Sequence, residues 1–146
     1  FELVSFDHLE DPRNIAANDN MLAINNALAM DLGGQITAET VNGRMLATPG
    51  GQPSFVTGAL LSKGGRSVHV LPSTADGGRM SRIVPQHPAG TVVTVPRHSV
   101  DIVVTEYGVA RLWGKSLRKR AEELIAIAHP NFREELTKDA NRLLWP

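Results

Sequence analysis

The 146-residue chain has no cysteine, which excludes a disulfide framework, a thiolate nucleophile and thiolate metal ligands, and fits a reducing compartment. Aromatic residues make up only 5%, too few for the repeated stacking platforms that single-stranded nucleic acids use. Neither sign of charge is in excess. Fifteen basic and fifteen acidic residues cancel, so no global field draws the chain to nucleic acid or an anionic membrane. No apolar run approaches the roughly 18 to 20 residues needed to cross a bilayer, and no basic segment followed by an apolar core opens the chain. Several chemical signatures are also missing. There is no GxGxxG or GxxxxGK[ST] loop, no HExxH pair among the scattered histidines 8, 69, 87, 98 and 129, and no GxSxG elbow around Ser54, Ser62, Ser73 or Ser81. We therefore expect a cytoplasmic protein with no metal centre and neither nucleic acid nor membrane as a partner.

What is present reads as one α/β layer. A 42% hydrophobic fraction supports one packed domain. The opening twenty residues suggest a connection with a single helical turn. The parity of Leu22, Ile24, Leu28, Met30 and Leu32 predicts a strand over 22–32, interrupted by Asn26. The Asn25-Asn26 pair either organises a neighbouring loop or marks an edge or bend. A strand over 35–41 ends in an Asn42-Gly43 turn, a short helix spans 54–61, and strands are expected over 67–71, 92–95 and 101–105. Ser116 caps a helix carrying Leu117, Ala121, Leu124, Ile125 and Ala128 on one face. Asn131 with Glu134 resembles a capping box for a second helix, packed through Phe132, Leu136 and Leu143 or Leu144. Strands followed by closing helices imply an open layered domain with a mixed, mainly parallel sheet flanked by helices.

Chemistry concentrates at two places. Gly50-Gly51-Gln52-Pro53-Ser54-Phe55 couples a glycine turn to a helix start, where backbone amides can face an anion or a developing oxyanion. Glu106 directly follows a strongly patterned strand, where α/β proteins often place active groups. The basic run of Arg111, Lys115, Arg118, Lys119 and Arg120 is balanced by Glu122 and Glu123 and reads as a solvated helix face.

A long ordered series gives these features a family. Asp11 to Ala16, residues 20–28, Asp31-Leu32-Gly33-Gly34-Gln35, the GGQPSF loop, Leu71-Pro72-Ser73-Thr74-Ala75, Ser81-Arg82-Ile83-Val84-Pro85, the VTEYG stretch at 104–108 and the closing segment 114–136 together resemble the C-terminal domain of the acetyl-CoA hydrolase/transferase family. The resemblance implies that residues 1–146 are a C-terminal domain excised from a longer two-domain chain, and that the missing N-terminal domain is its main partner. It implies CoA transfer between an acyl-CoA and a short carboxylic acid through a glutamyl-CoA thioester, with coenzyme A as substrate and no permanently bound cofactor. The nucleophilic glutamate lies upstream, so the fragment alone should be inactive. Glu106 and Asn25 inherit supporting catalytic roles, Gly50 and Gly51 an oxyanion or thioester loop, and Gly50, Gly51, Gln52 and Phe55 contact with the coenzyme. A homodimer is compatible with this picture.

Two positions depart from the family pattern. Ser54 stands where an acidic residue is usual, and Trp113 where a basic one precedes the Gly114-Lys115-Ser116 stretch; either change could alter acyl selectivity, coenzyme contacts or packing. The alternatives are an acyl-CoA hydrolase, a non-catalytic CoA-binding or regulatory domain, and a purely structural assembly domain.

Overall fold

The computed structural model describes residues 1–144. Two short helices, α1 (Phe6–Leu9) and α2 (Pro12–Ala16), precede strands β1 (Leu22–Asn26), β2 (Ala29–Asp31), β3 (Ile36–Thr37), β4 (Thr40–Val41) and β5 (Arg44–Met45). Helix α3 (Gln52–Leu61) leads into β6 (Arg66–Val70), β7 (Thr74–Ala75), β8 (Met80–Ser81), β9 (Ile83–Val84), β10 (Ile102–Thr105) and β11 (Gly108–Arg111). Helices α4 (Leu117–Ala126) and α5 (Pro130–Leu143) close the chain.

The main sheet has the order β1-β6-β10-β11, with β1, β6 and β10 parallel and β11 antiparallel. A second sheet, β3-β2-β9, is bound to the closing helices by a core that includes Met30, Ile36, Ile83, Leu124 and Leu136. This is the mixed, mainly parallel α/β architecture that the sequence implies.

The pleat sends alternate residues to opposite faces, and the two faces of the main sheet differ. Ala23, Ser67, His69, Val103, Thr105 and Ala110 share one face and are buried. Both α3 and α4 sit on that side, since Gln52 reaches His69 and the Thr105 hydroxyl donates to the Ile127 carbonyl at 2.6 Å. On the other face Leu22, Ile24 and Val109 are 53%, 63% and 54% exposed, and Val68, Val70, Ile102 and Val104 are only half-buried. Parallel strands are normally covered on both sides. Here an apolar sheet face is open among the described residues.

Several local expectations change. The single strand over 22–32 is two strands in different sheets, because the Ala27 amide donates to Val70 whereas the Leu28 amide turns to Thr37. Its apolar parity also splits: Leu22 and Ile24 face outward while Met30 and Leu32 are buried. The 35–41 strand breaks at Ala38-Glu39, and the Asn42-Gly43 turn joins β4 to β5 with both residues at positive φ, 51° and 72°. No strand forms over 92–95. Val92 donates to the Thr40 hydroxyl, and only an isolated bridge joins Val95 to Ile36. Strand β11 is unforeseen, so Glu106 and Tyr107 form a two-residue hairpin turn between Thr105 and Gly108.

Helix ends follow simple chemistry. Ser116 caps α4 as expected, accepting from the Lys119 amide. The cap of α5 is His129 rather than Asn131: its Nδ1 accepts from the Asn131 amide and Pro130 takes the first turn. Lys115, Arg118 and Lys119 pair with Glu123 and Glu122, as a solvated face requires. Arg120 does not belong to that face. It is buried, and Nε, Nη1 and Nη2 donate to the carbonyls of Gly33, Leu112 and Arg97.

Candidate active site

The parallel strands β1, β6 and β10 end on the same side of the sheet, and the polar groups of interest gather there. At the end of β10, the Glu106 carboxylate accepts from the Ser73 amide at 2.9 Å and from its hydroxyl at 2.5 Å. The Ser73 hydroxyl holds the Glu106 carboxyl below the usual carboxylate range against opposing partial burial, with backbone amides and His129 assisting. The hairpin turn is braced from below. The Tyr107 ring meets His129 edge-on at 5.3 Å, and the Arg133 guanidinium lies 5.7 Å from the centre of the same ring.

At the end of β1 a buried polar chain fixes the glycine loop. Gln52 Nε2 donates to the Asn26 carbonyl at 3.3 Å and lies 3.2 Å from His69 Nδ1. Because an amide nitrogen only donates, Nδ1 accepts, and the His69 proton resides on Nε2, 3.2 Å from the Ser67 hydroxyl. Burial pushes the His69 pKa down to about 4, so the ring is neutral at pH 7 and the chain keeps one polarity. The Asn25-Asn26 pair thus organises the loop through a main-chain carbonyl, and β1 is also an edge strand.

The two glycines do different work. Gly50 adopts φ +55° in open space, a left-handed turn that other residues enter at a cost. Gly51 lies so close to its neighbours that a Cβ there would stand 2.5 Å from Glu10 Oε1 and 3.1 Å from the Phe55 ring. The helix begins at Gln52, two residues before the expected start, with Pro53 in its first turn. Asn25 and Phe55 line a groove of about 440 Å³ beside Met21 to Ile24. Asn25 Nδ2 is buried there with no hydrogen-bond partner among the described residues, a free donor that normally costs about 1–3 kcal/mol unless something accepts from it.

Asn25, Gly51, Gln52 and Phe55 therefore come together at β1, with Gly50 opening the same loop. Glu106 stands across β6, about two strand spacings or ~10 Å away in the sheet. Gln52 is buried and its amide is turned inward. Ser54 lies half-buried in α3, and Trp113 is exposed in the turn before α4. Sequence reasoning missed the partnership of Ser73 with Glu106, 33 residues apart, and the anchoring role of His69. A histidine alternating with valines in a strand was the available signal for His69; nothing local announces the Ser73 contact.

Comparison with known proteins places this geometry in context. The profile of the acetyl-CoA hydrolase/transferase C-terminal domain matches residues 1–140. The 4-hydroxybutyrate coenzyme A transferase of Clostridium kluyveri is 49% identical over 138 residues, covering 94% of this chain and 32% of the relative. An acetyl-CoA hydrolase of Yarrowia lipolytica is 36% identical over 118 residues, 80% of this chain and 22% of that protein. The crystal structure of RipA from Yersinia pestis superposes with a TM-score of 0.87 at 44% identity, covering 94% of this chain and 31% of RipA. The chain thus spans about a third of the length of curated CoA transferases that it matches.

Proposed function

The chain belongs to the acetyl-CoA hydrolase/transferase family through its C-terminal domain, and from that premise we propose that it is one wall of a CoA-transferase active site. In this reading a glutamate outside the 146 residues is the nucleophile. Its carboxylate attacks the acyl-CoA carbonyl, giving an acyl-glutamyl anhydride and the CoA thiolate. The thiolate then attacks the glutamyl carbonyl, releasing the first carboxylate and leaving a glutamyl-CoA thioester. A second carboxylic acid reverses these steps and departs as the new acyl-CoA.

The observation that carries the reading is the commitment of Glu106 to Ser73. A carboxylate already accepting two hydrogen bonds, with its pKa lowered, is a poor attacking group and a good fixed charge, suited to orienting a partner and tuning its protonation. Gly50 and Gly51 leave amides at the start of α3 for charge that develops on the carbonyl oxygen, and Phe55 offers a flat apolar surface beside them. Gln52 acts from beneath by holding this loop to β1. Asn25, with its open amide donor, supplies a further hydrogen bond to the reacting groups.

Transfer is favoured over hydrolysis by the greater identity to transferases, 39–49%, than to acetyl-CoA hydrolases, 33–36%. The open apolar sheet face supports an N-terminal domain of the parent polypeptide as the covering partner. A cytoplasmic setting and a possible homodimer belong to the same proposal; no helix among the described residues is long and apolar enough to cross a membrane.

The test compares the parent polypeptide with residues 1–146, using acetyl-CoA and a panel of short carboxylates. Transfer should occur only in the parent, with a trapped CoA adduct on a glutamate outside this segment. Comparable turnover by the 146 residues alone would sink the assignment and make Glu106 the candidate nucleophile.

A further inference from the structure

A second hollow is lined by Ala75, Asp76 and Arg82, close along the chain to Ser73, the residue that holds Glu106. It encloses about 390 Å³, within the size range of small-ligand sites. Leu28, Val41, Leu46, Met80 and Val84 make its walls mostly apolar, and Arg82 is the cation among its lining residues. Arg82 is half-buried. Its Nε and Nη1 donate to the carbonyls of Thr74 and Leu28 at 3.2 and 2.7 Å, both uncharged acceptors. Among the described residues Nη2 has no hydrogen-bond partner and no carboxylate forms an ion pair with this guanidinium. Asp76 also lines the hollow, but both its oxygens are held by Arg79. Arg120 is the instructive contrast, for it too lacks a carboxylate yet spends all three nitrogens on carbonyls.

A half-buried cation whose third nitrogen is open to solvent and spent on no protein group among the described residues is available to an anion. The apolar walls select against a bare phosphate and for an anion with an aliphatic body. The position adds the remaining link. The Arg82 amide donates to the Ser73 carbonyl at 2.9 Å, while the amide and hydroxyl of the same serine hold Glu106. One residue thus separates the cation from the carboxylate assigned to the reacting edge.

We propose that this hollow is the chain-length pocket for the aliphatic carboxylic acid substrate, with Arg82 Nη2 receiving its carboxylate and the apolar walls receiving its tail. The inference rests on the CoA-transfer reading and adds to it the determinant of acid selectivity. Each methylene buried there should favour binding by about fourfold, so longer aliphatic acids outcompete acetate until the hollow is full.

The experiment uses the full-length parent and measures kcat/KM for acetate, butyrate and hexanoate with a common acyl-CoA donor. Ala75→Leu, which narrows the hollow, should reduce the hexanoate-to-acetate ratio of kcat/KM at least tenfold. Arg82→Lys, which keeps the charge and loses the fork, should raise the carboxylate KM about tenfold and leave the acyl-CoA KM in place. An unchanged acid ratio in a folded, active Ala75→Leu enzyme overturns the pocket and leaves CoA transfer standing. A parent without CoA transfer overturns that reading instead. The hollow is then tested by methyl NMR, where saturable hexanoate-dependent shifts at Ala75 and Met80 support it and their absence refutes it.

Discussion

Ser73 gives both its backbone amide and its hydroxyl to the two carboxylate oxygens of Glu106, at 2.9 and 2.5 Å, across 33 residues of chain. This pairing ties the loop after β6 to the turn after β10 and sets the charge state of the edge. Removing the hydroxyl with Ser73→Ala should raise the Glu106 pKa towards its ordinary value. Because the folded carboxyl titrates below the unfolded one, the contact stabilises the fold above the unfolded pKa, and that contribution is lost as pH falls through the folded pKa. Carbon-detected titration of Glu106 in both proteins checks the shift, and the acid limb of the parent's pH–rate profile should move upward with it.

His69 predicts a second pH dependence in a different window. Burial lowers its pKa from 6.5 to about 4, so the unfolded chain takes up a proton that the folded chain refuses. Stability should fall between those values, by roughly 3 kcal/mol when the drop is complete. Urea unfolding at pH 7 and pH 4.5 should show most of this loss, and a non-titrating His69→Gln variant should show much less of it.

The two glycines of the loop should respond differently to alanine. Gly50→Ala meets no neighbour but must hold φ +55°, costing about 1 kcal/mol. Gly51→Ala collides first with the end of the flexible Glu10 side chain and then with the Phe55 ring. We expect a smaller stability loss and a displaced Phe55, seen as altered ring shifts and a higher KM for acyl-CoA in the parent.

Arg120 is a clamp joining three otherwise separate carbonyls. Arg120→Met removes every one of those donors from a buried site and should cost about 3 kcal/mol or more. Thermal or urea denaturation measures it directly; a loss under 1 kcal/mol would show that water replaces the guanidinium.

The open sheet face separates folding from assembly. Leu22→Lys with Ile24→Lys changes side chains that are 53% and 63% exposed, so the stability of residues 1–146 should move by less than about 0.5 kcal/mol per site. If the N-terminal domain covers this face, the same pair should abolish CoA transfer in the parent and loosen its domains to proteolysis.

Much of this protein was legible in the linear sequence because the relevant physics is local. Alternating apolar residues placed β6 and β10, Ser116 started α4, Asn42-Gly43 made its hairpin, and the ordered motifs from Asp11 to Leu136 carried the family. Glu106 was found at a strand end without knowledge of its neighbours. Tertiary structure decided whatever depends on contacts distant in sequence. It cut the 22–32 strand in two, since the amides of Ala27 and Leu28 turn to different sheets. It buried Arg120 out of a run of surface charges, because three carbonyls converge where that side chain falls. It also paired Ser73 with Glu106 and left Arg82 with one donor unspent. Side-chain period and turn chemistry are properties of neighbours along the chain; hydrogen-bond partners and burial arise only when the chain has closed on itself.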